Sequence, residues 1–271
     1  MFAPGHITGF FAVHKSKDTL KTGSIGAGIT VNRGVNLNIE EGSGNIYYNK
    51  KKVDICSVNK VLTYYENFGF DKNSYDIFFT SDFPLGSGLG MSGGCALTLS
   101  KKLNEMLDLK INYVEIAHIS EVECGTGLGD VIGQYVKGFI IRKSPGFPIN
   151  VEKYTIDKDY YIIIEIFGKK ETNKIITNDK WIEKINEFGK KYLNELLKNP
   201  TLENFINLSY KFAVNTGLIN GNILELCNDL KFTVGASQSM LGNTLFCISK
   251  KDTLNDAISI LKNPIVCKIY Y

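Results

Sequence analysis

The stretch "DFPLGSGLGMSGG", residues 82–94, places five glycines in its last nine positions: Gly86, Gly88, Gly90, Gly93 and Gly94. It follows a strand-like run, "YDIFFTS" at 75–81, and leads into an apolar-periodic segment, "CALTLSKKLNEML" at 95–107. Strand, glycine loop and helix in that order present the unpaired N–H groups of a helix start, where a partial positive charge favours an anion. Glycine loses more freedom on ordering than any other residue, so a loop this rich in it serves a special backbone path or a ligand. The pattern is neither GxxxxGK[ST] nor a strand–GxGxxG–helix dinucleotide fingerprint, and Lys101 and Lys102 fall well inside the helix. Read from its residues alone, the loop is a phosphate cradle or a tight turn.

The surrounding chain narrows the classes. Its 271 residues, 44% hydrophobic and 22% charged, suit one large domain or two smaller ones with an ample core. A net charge of +3 argues against a dedicated nucleic-acid binder, and the densest basic run, "NKKKVD" at 49–54, reads as a solvated turn. Six cysteines without a CxxC pair predict reduced, mostly buried thiols rather than a disulfide framework or zinc site. The first ten residues lack the pattern of a secretory signal, and the most apolar run, "YYIIIEIF" at 160–167, is too short for a bilayer and carries Glu165. The expectation is a soluble cytoplasmic protein without nucleic-acid or membrane partners. A homodimer is compatible with this class, and the sequence leaves the oligomeric state open.

Mixed strands and segregated helices favour an α+β fold over a doubly wound sheet. The first half carries β-like runs ("HITGFFAV", "GAGITV", "VNLNIEE"), a helix "VNKVLTYYENF", helices near 92–107 and 112–122, and the strand "GFIIR". "SPGFPIN" at 144–150 is the clearest punctuation, which divides the chain into 1–148 and 149–271. The second half runs from the strand "YYIIIEIF" through helical patterns at 179–198, 201–215 and 220–228, with Pro200 as a break, to a final helix and strand.

A second constellation lies in "AHISEVECGTGLGD", residues 117–130. His118 and Glu121 share a helix face, and a glycine loop then leads to Asp130. Two carboxylates so placed can hold Mg²⁺ and orient a hydroxyl. Equally, Glu121 and Glu123 can be solvated helix residues and Asp130 a helix cap. "GASQSMLGN" at 235–243 reads by itself as a hairpin turn.

Together, "APGH" at 3–6, "PLGSGLGMSGG" at 84–94 and "GASQSMLGN" at 235–243 resemble, in order and spacing, the three signature motifs of the GHMP small-molecule kinases. The resemblance covers nearly the whole chain. Within that superfamily "PGHITGFF", "GSIGAG" and "HISEVECGTGLGD" are most similar to the archaeal-type pantoate kinase family. Where the superfamily commonly has two serines after GLG, this chain has Met91 and Ser92, so a hydroxyl role falls to Ser92.

The resemblance implies a two-lobed fold, with an N-terminal lobe like ribosomal protein S5 domain 2 and a ferredoxin-like C-terminal lobe. It implies ATP and Mg²⁺ as cofactors and phosphorylation of the 4-hydroxyl of (R)-pantoate to 4-phosphopantoate, towards coenzyme A. Mevalonate, homoserine or shikimate are the alternative acceptors. Pro84, Gly86, Ser87, Gly88, Leu89, Gly90, Met91, Ser92 and Gly93 would form the nucleotide loop, with Ser92 and Glu121 on the metal. Asp130 would serve as base or orienting group, and Glu123 competes with Glu121 for the metal. Arg142, a rare arginine in a lysine-rich chain, would meet the acceptor carboxylate with Ser24 and His118, against an apolar wall of Phe10 or Phe11.

Overall fold

A computed structural model describes residues 1–156, 159–168 and 179–271. Strands β1 (Phe2–His14), β2 (Gly23–Glu41), β3 (Ile46–Tyr48), β4 (Lys51–Lys52), β5 (Tyr75–Ser81), β6 (Phe139–Arg142) and β7 (Val151–Tyr154) make the first sheet. Its order is β4-β3-β5-β2-β6-β7, with β1 paired along β2. The long β1–β2 ladder is antiparallel and sets His6 opposite Thr30 and Phe11 opposite Gly26, while β6 joins β2 with Arg142 opposite Gly26. Nearly every residue of β1 is buried, so the strand is covered on both faces.

Helices α1 (Cys56–Glu66), α2 (Met91–Met106), α3 (Tyr113–Cys124) and α4 (Asp130–Val136) pack together beside this sheet. At the start of α3 Asn112 accepts the N–H of Val114 as a cap, and Gly125 ends the helix in the left-handed region. Strand β7 lies beyond the division expected after residue 148 but pairs with β6. The first sheet therefore continues past the prolines, and the passage to the second sheet falls between Tyr154 and Tyr161.

The second sheet holds β8 (Tyr161–Ile166), β9 (Gly235–Gln238), β10 (Thr244–Ser249) and β11 (Ile265–Cys267) in the order β11-β8-β10-β9, every neighbour antiparallel. With α5 (Asp179–Lys198), α6 (Leu202–Thr216) and α7 (Gly221–Asp229) between β8 and β9, and α8 (Leu254–Ile260) between β10 and β11, this is the ferredoxin-like arrangement. The lobes share one core. Helices α5 and α6 lie on β1, and Phe10 meets Tyr192, Phe205 and Phe212 at ring distances of 6.3–6.4 Å. Among the described residues no helix is long and apolar enough to cross a membrane.

One expectation is overturned. Cys56 at the start of α1 and Cys124 at the end of α3 form a disulfide, 68 residues apart in sequence. The two helix ends meet only in the folded chain, so no local spacing announces the pair. Cys95, Cys227, Cys247 and Cys267 are the free, buried thiols expected.

Candidate active site

A cleft of about 390 Å³ opens where the glycine loop, α1, the turn before α4 and the β9–β10 turn converge. Gly86, Gly88 and Gly90 all have positive φ (80°, 78° and 71°), a path that L side chains resist. Gly90 is the N-cap of α2, so the first amides of the helix, from Met91 to Gly93, have no intrahelical acceptor. Gly86, Gly88, Gly90, Met91, Ser92 and Gly93 line the cleft. Pro84, Ser87 and Leu89 do not: Pro84 is exposed outside it, while Ser87 and Leu89 turn into the protein.

The β9–β10 turn braces this loop from the other lobe. Ser239 Oγ donates to the carbonyl of Gly88 at 2.6 Å and Thr244 Oγ1 to that of Ser87 at 2.7 Å. A Cβ added to Gly242 would stand 2.1 Å from the Ser87 carbonyl oxygen, so the two turns touch backbone to backbone. From the first motif, the His6 amide donates to Leu89 O at 3.0 Å, and Gln134 Nε2 reaches both Pro4 O (2.9 Å) and Gly90 O (2.8 Å). The three sequence motifs are one hydrogen-bonded unit.

Glu121, only 2% exposed, faces the cleft from α3. Its Oε1 accepts from Ser92 Oγ at 2.5 Å and Thr126 Oγ1 at 2.8 Å, and Ser57 Oγ lies 2.9 Å from Ser92 Oγ. Burial raises its carboxyl above the ordinary range, the nearby Asp130 charge adding to that against the hydroxyl bonds. A buried carboxylate and a hydroxyl at an open cleft are oxygen ligands suited to a hard divalent cation completed by water and phosphate. The described residues contain no cluster of three metal-binding side chains.

Asp130 begins α4 and packs close over the glycine loop at Gly90. A Cβ on Gly90 would stand 3.3 Å from Asp130 Cγ. Its Oδ1 lies 2.7 Å from Nδ1 of His6, a fully buried ring whose Nε2 is 3.5 Å from Arg142 Nη1. Arg142 Nη2 in turn is 3.5 Å from Ser24 Oγ. Burial lowers the guanidinium to about 10, opposed by the Asp130 charge. Its Nε has no partner among the described residues.

Residues 57–138 match the family described as GHMP kinases N terminal domain. The full chain is 77% identical to the pantoate kinase of Methanocaldococcus jannaschii over 271 residues, all of both chains. The chain belongs to the pantoate kinase family of the GHMP kinases. It is also 31% identical to the pantoate kinase of Thermococcus kodakarensis, over 97% of this chain and 91% of that one. A solved structure described as a phosphotransferase related to the CoA biosynthesis pathway matches it with a TM-score of 0.87 at 28% identity, covering 99% of this chain and 95% of the other.

In this kinase the cleft brings together Ser24, glycines of the loop, Ser92, Glu121 and Asp130. Glu123 points elsewhere and binds Lys60 (2.9 Å) and the Tyr64 hydroxyl (2.9 Å), so of the two only Glu121 lines the cleft. His118 is not on the cleft: its Nε2 is bonded to the carbonyl of Thr22 at 2.9 Å and its ring packs on Phe147. Arg142 stands one layer behind the wall, screened by Gly129, where a Cβ would come within 2.8 Å of its Nε. Of the two phenylalanines, Phe11 lines the cleft and Phe10 belongs to the core. His6, Thr8, Ser57 and Thr126 join the site although no role for them follows from the sequence pattern. His6 was visible within "PGH", and Thr126 within "GTGLGD"; nothing local marks Ser57.

Proposed function

We propose that this kinase transfers the γ-phosphoryl group of ATP to the 4-hydroxyl of (R)-pantoate, giving 4-phosphopantoate for coenzyme A synthesis in the cytoplasm. The full-length 77% identity to a pantoate kinase carries this reading, and the cleft chemistry supports it. Phosphoryl transfer asks for positioning and charge neutralisation more than for covalent chemistry. The amides that open α2 bind the phosphate oxygens, and the braced glycine loop holds that cradle rigid. Ser92 and Glu121 would hold Mg²⁺, which when bound neutralises charge on the phosphates.

Asp130, next to Gly90, orients the attacking hydroxyl towards the phosphate and accepts its proton late in the transfer. A carboxylate is a weak base for an alcohol, and in a loose transition state the hydroxyl proton leaves late, so alignment is its larger contribution. Ser24 and the desolvated Arg142 charge behind it draw the acceptor's carboxylate to the far end of the cleft. Phe11, Leu128 and Met240 supply apolar wall for its two methyl groups.

The deciding experiment is a panel of small hydroxy acids with Mg·ATP, scored by phosphorylated product. (R)-Pantoate is expected to give the highest kcat/KM, and preference for mevalonate, homoserine or shikimate would reject the assignment. Asp130→Asn should lower kcat by roughly 10²-fold or more, the scale of a lost acid–base group, with the fold intact by circular dichroism.

A further inference from the structure

We propose that His6 is a positioning residue: its imidazole aims the Asp130 carboxylate at the acceptor hydroxyl and keeps that carboxylate apart from the Arg142 guanidinium. The proposal rests on the role given to Asp130 above.

The two charges lie on opposite sides of one ring. Nδ1 meets Asp130 Oδ1 at 2.7 Å, and Nε2 faces Arg142 Nη1 at 3.5 Å. Arginine has only donors, so Nε2 must be the accepting nitrogen and Nδ1 carries the proton that it donates to Asp130. A second proton on the ring would point at a guanidinium in a place closed to water. Burial already lowers the imidazole's pKa, although the hydrogen bond and charge of Asp130 work the other way. Asp130 on α4 and Arg142 on β6 are the charged groups that act on the ring; Thr8 Oγ1, 3.5 Å from Nδ1, is neutral.

The slot for the ring is built. A Cβ at Gly28 on β2 would stand 2.5 Å from Nε2, and one at Gly133 on α4 would stand 2.4 Å from it. Strand and helix both give up a side chain there, and the His6 amide is tied to Leu89 O of the phosphate loop. A direct ion pair between Asp130 and Arg142 would occupy the carboxylate's lone pairs and neutralise the buried Arg142 cation beside the acceptor. With imidazole between them, Asp130 remains partly exposed, its side chain 26% accessible towards the cleft, and Arg142 keeps its charge.

The test is a kinetic cycle on the full-length enzyme with His6→Ala, His6→Asn, Asp130→Asn and the double variant His6→Ala/Asp130→Asn. Asparagine returns a donor near Nδ1. His6→Ala is expected to lower kcat by about 10²-fold, the scale of a misaligned reacting group, with the KM for ATP changed by less than about 3-fold. His6→Asn should recover at least about ten-fold of that. In the Asp130→Asn background His6→Ala should cost less than about 3-fold more, because both act through one group.

If Asp130→Asn keeps full activity, the Asp130 assignment fails and this proposal with it. If Asp130→Asn is impaired while His6→Ala costs the same factor in both backgrounds, or His6→Asn does no better than His6→Ala, His6 only fills space and this proposal alone is overturned. Should His6→Ala not fold, His6→Asn against His6→Gln decides. Glutamine places its amide near Nε2, facing Arg142, so the proposal requires His6→Asn to exceed it by about ten-fold, and equal or reversed rates reject it.

Discussion

Glu121 carries its charge where water hardly reaches, and that has a measurable cost in the ligand-free enzyme. Burial holds its pKa above the ordinary 4.5, so the neutral form is favoured by folding. Its contribution to stability is complete below the unfolded value and is lost as pH rises through the folded one. Glu121→Gln keeps an acceptor for Ser92 and removes that loss. The variant is expected to melt above the wild type at pH 8, with the gap closing towards pH 4, while thermal stabilisation by Mg·ATP disappears. His6 and His118, both lowered by burial, work in the opposite sense, losing stability as pH falls below 6.5, which is why the comparison must be variant against wild type. At this scale residue type and spacing singled out Glu121, but not the choice between it and Glu123 on the same helix. That choice belongs to Lys60 and Tyr64 on α1, which claim Glu123.

Between elements, the disulfide pins the start of α1 to the end of α3, the two helices that hold Ser57 and Glu121 beside Ser92. Closing a loop with a sequence separation of 68 residues removes denatured-state entropy. On the chain-entropy account this stabilises the fold by about 4 kcal/mol. Cys124→Ser should therefore melt well below the oxidised wild type, and reductant should lower the melting temperature of the wild type but not of the variant. A wild type unmoved by reductant would show that the bridge does not constrain the fold. Helix positions were legible here because caps and breakers are local: Asn112, Gly125 and Pro200 all mark real ends. The bridge between α1 and α3 was not, since two scattered cysteines look the same whether or not their helices meet.

At the level of the whole molecule, the C-terminal lobe braces the glycine loop of the N-terminal lobe through Ser239, Gly242 and Thr244. Gly242 touches the Ser87–Gly88 backbone with no room for a methyl group. Overpacking of this kind costs about 1–3 kcal/mol, so Gly242→Ala should weaken nucleotide binding roughly five- to hundred-fold, read by titration with an ATP analogue. Gly221→Ala is the control, because a Cβ there meets nothing within 4 Å. Equal affinity for the two variants would mean that the brace is dispensable. The chain tail adds a further tie between lobes, with Tyr270 N donating to Thr30 O and Asn32 N to Lys268 O.

The amino-acid order by itself determined the strand–glycine loop–helix unit and the α+β class, both written in neighbouring residues through periodicity and turn chemistry. The ferredoxin-like second lobe and the joint role of Glu121 and Asp130 were implied by the family resemblance, not by local pattern. Only the tertiary structure decided that His6 and not His118 meets the Asp130 carboxylate, that Arg142 stands behind Gly129 and not on the cleft wall, and that Cys56 finds Cys124. The contacts of His6 with Asp130 and Arg142, and of Cys56 with Cys124, join residues 68 to 136 positions apart. Sheet register and helix packing bring them together, and neither leaves a mark in the local pattern.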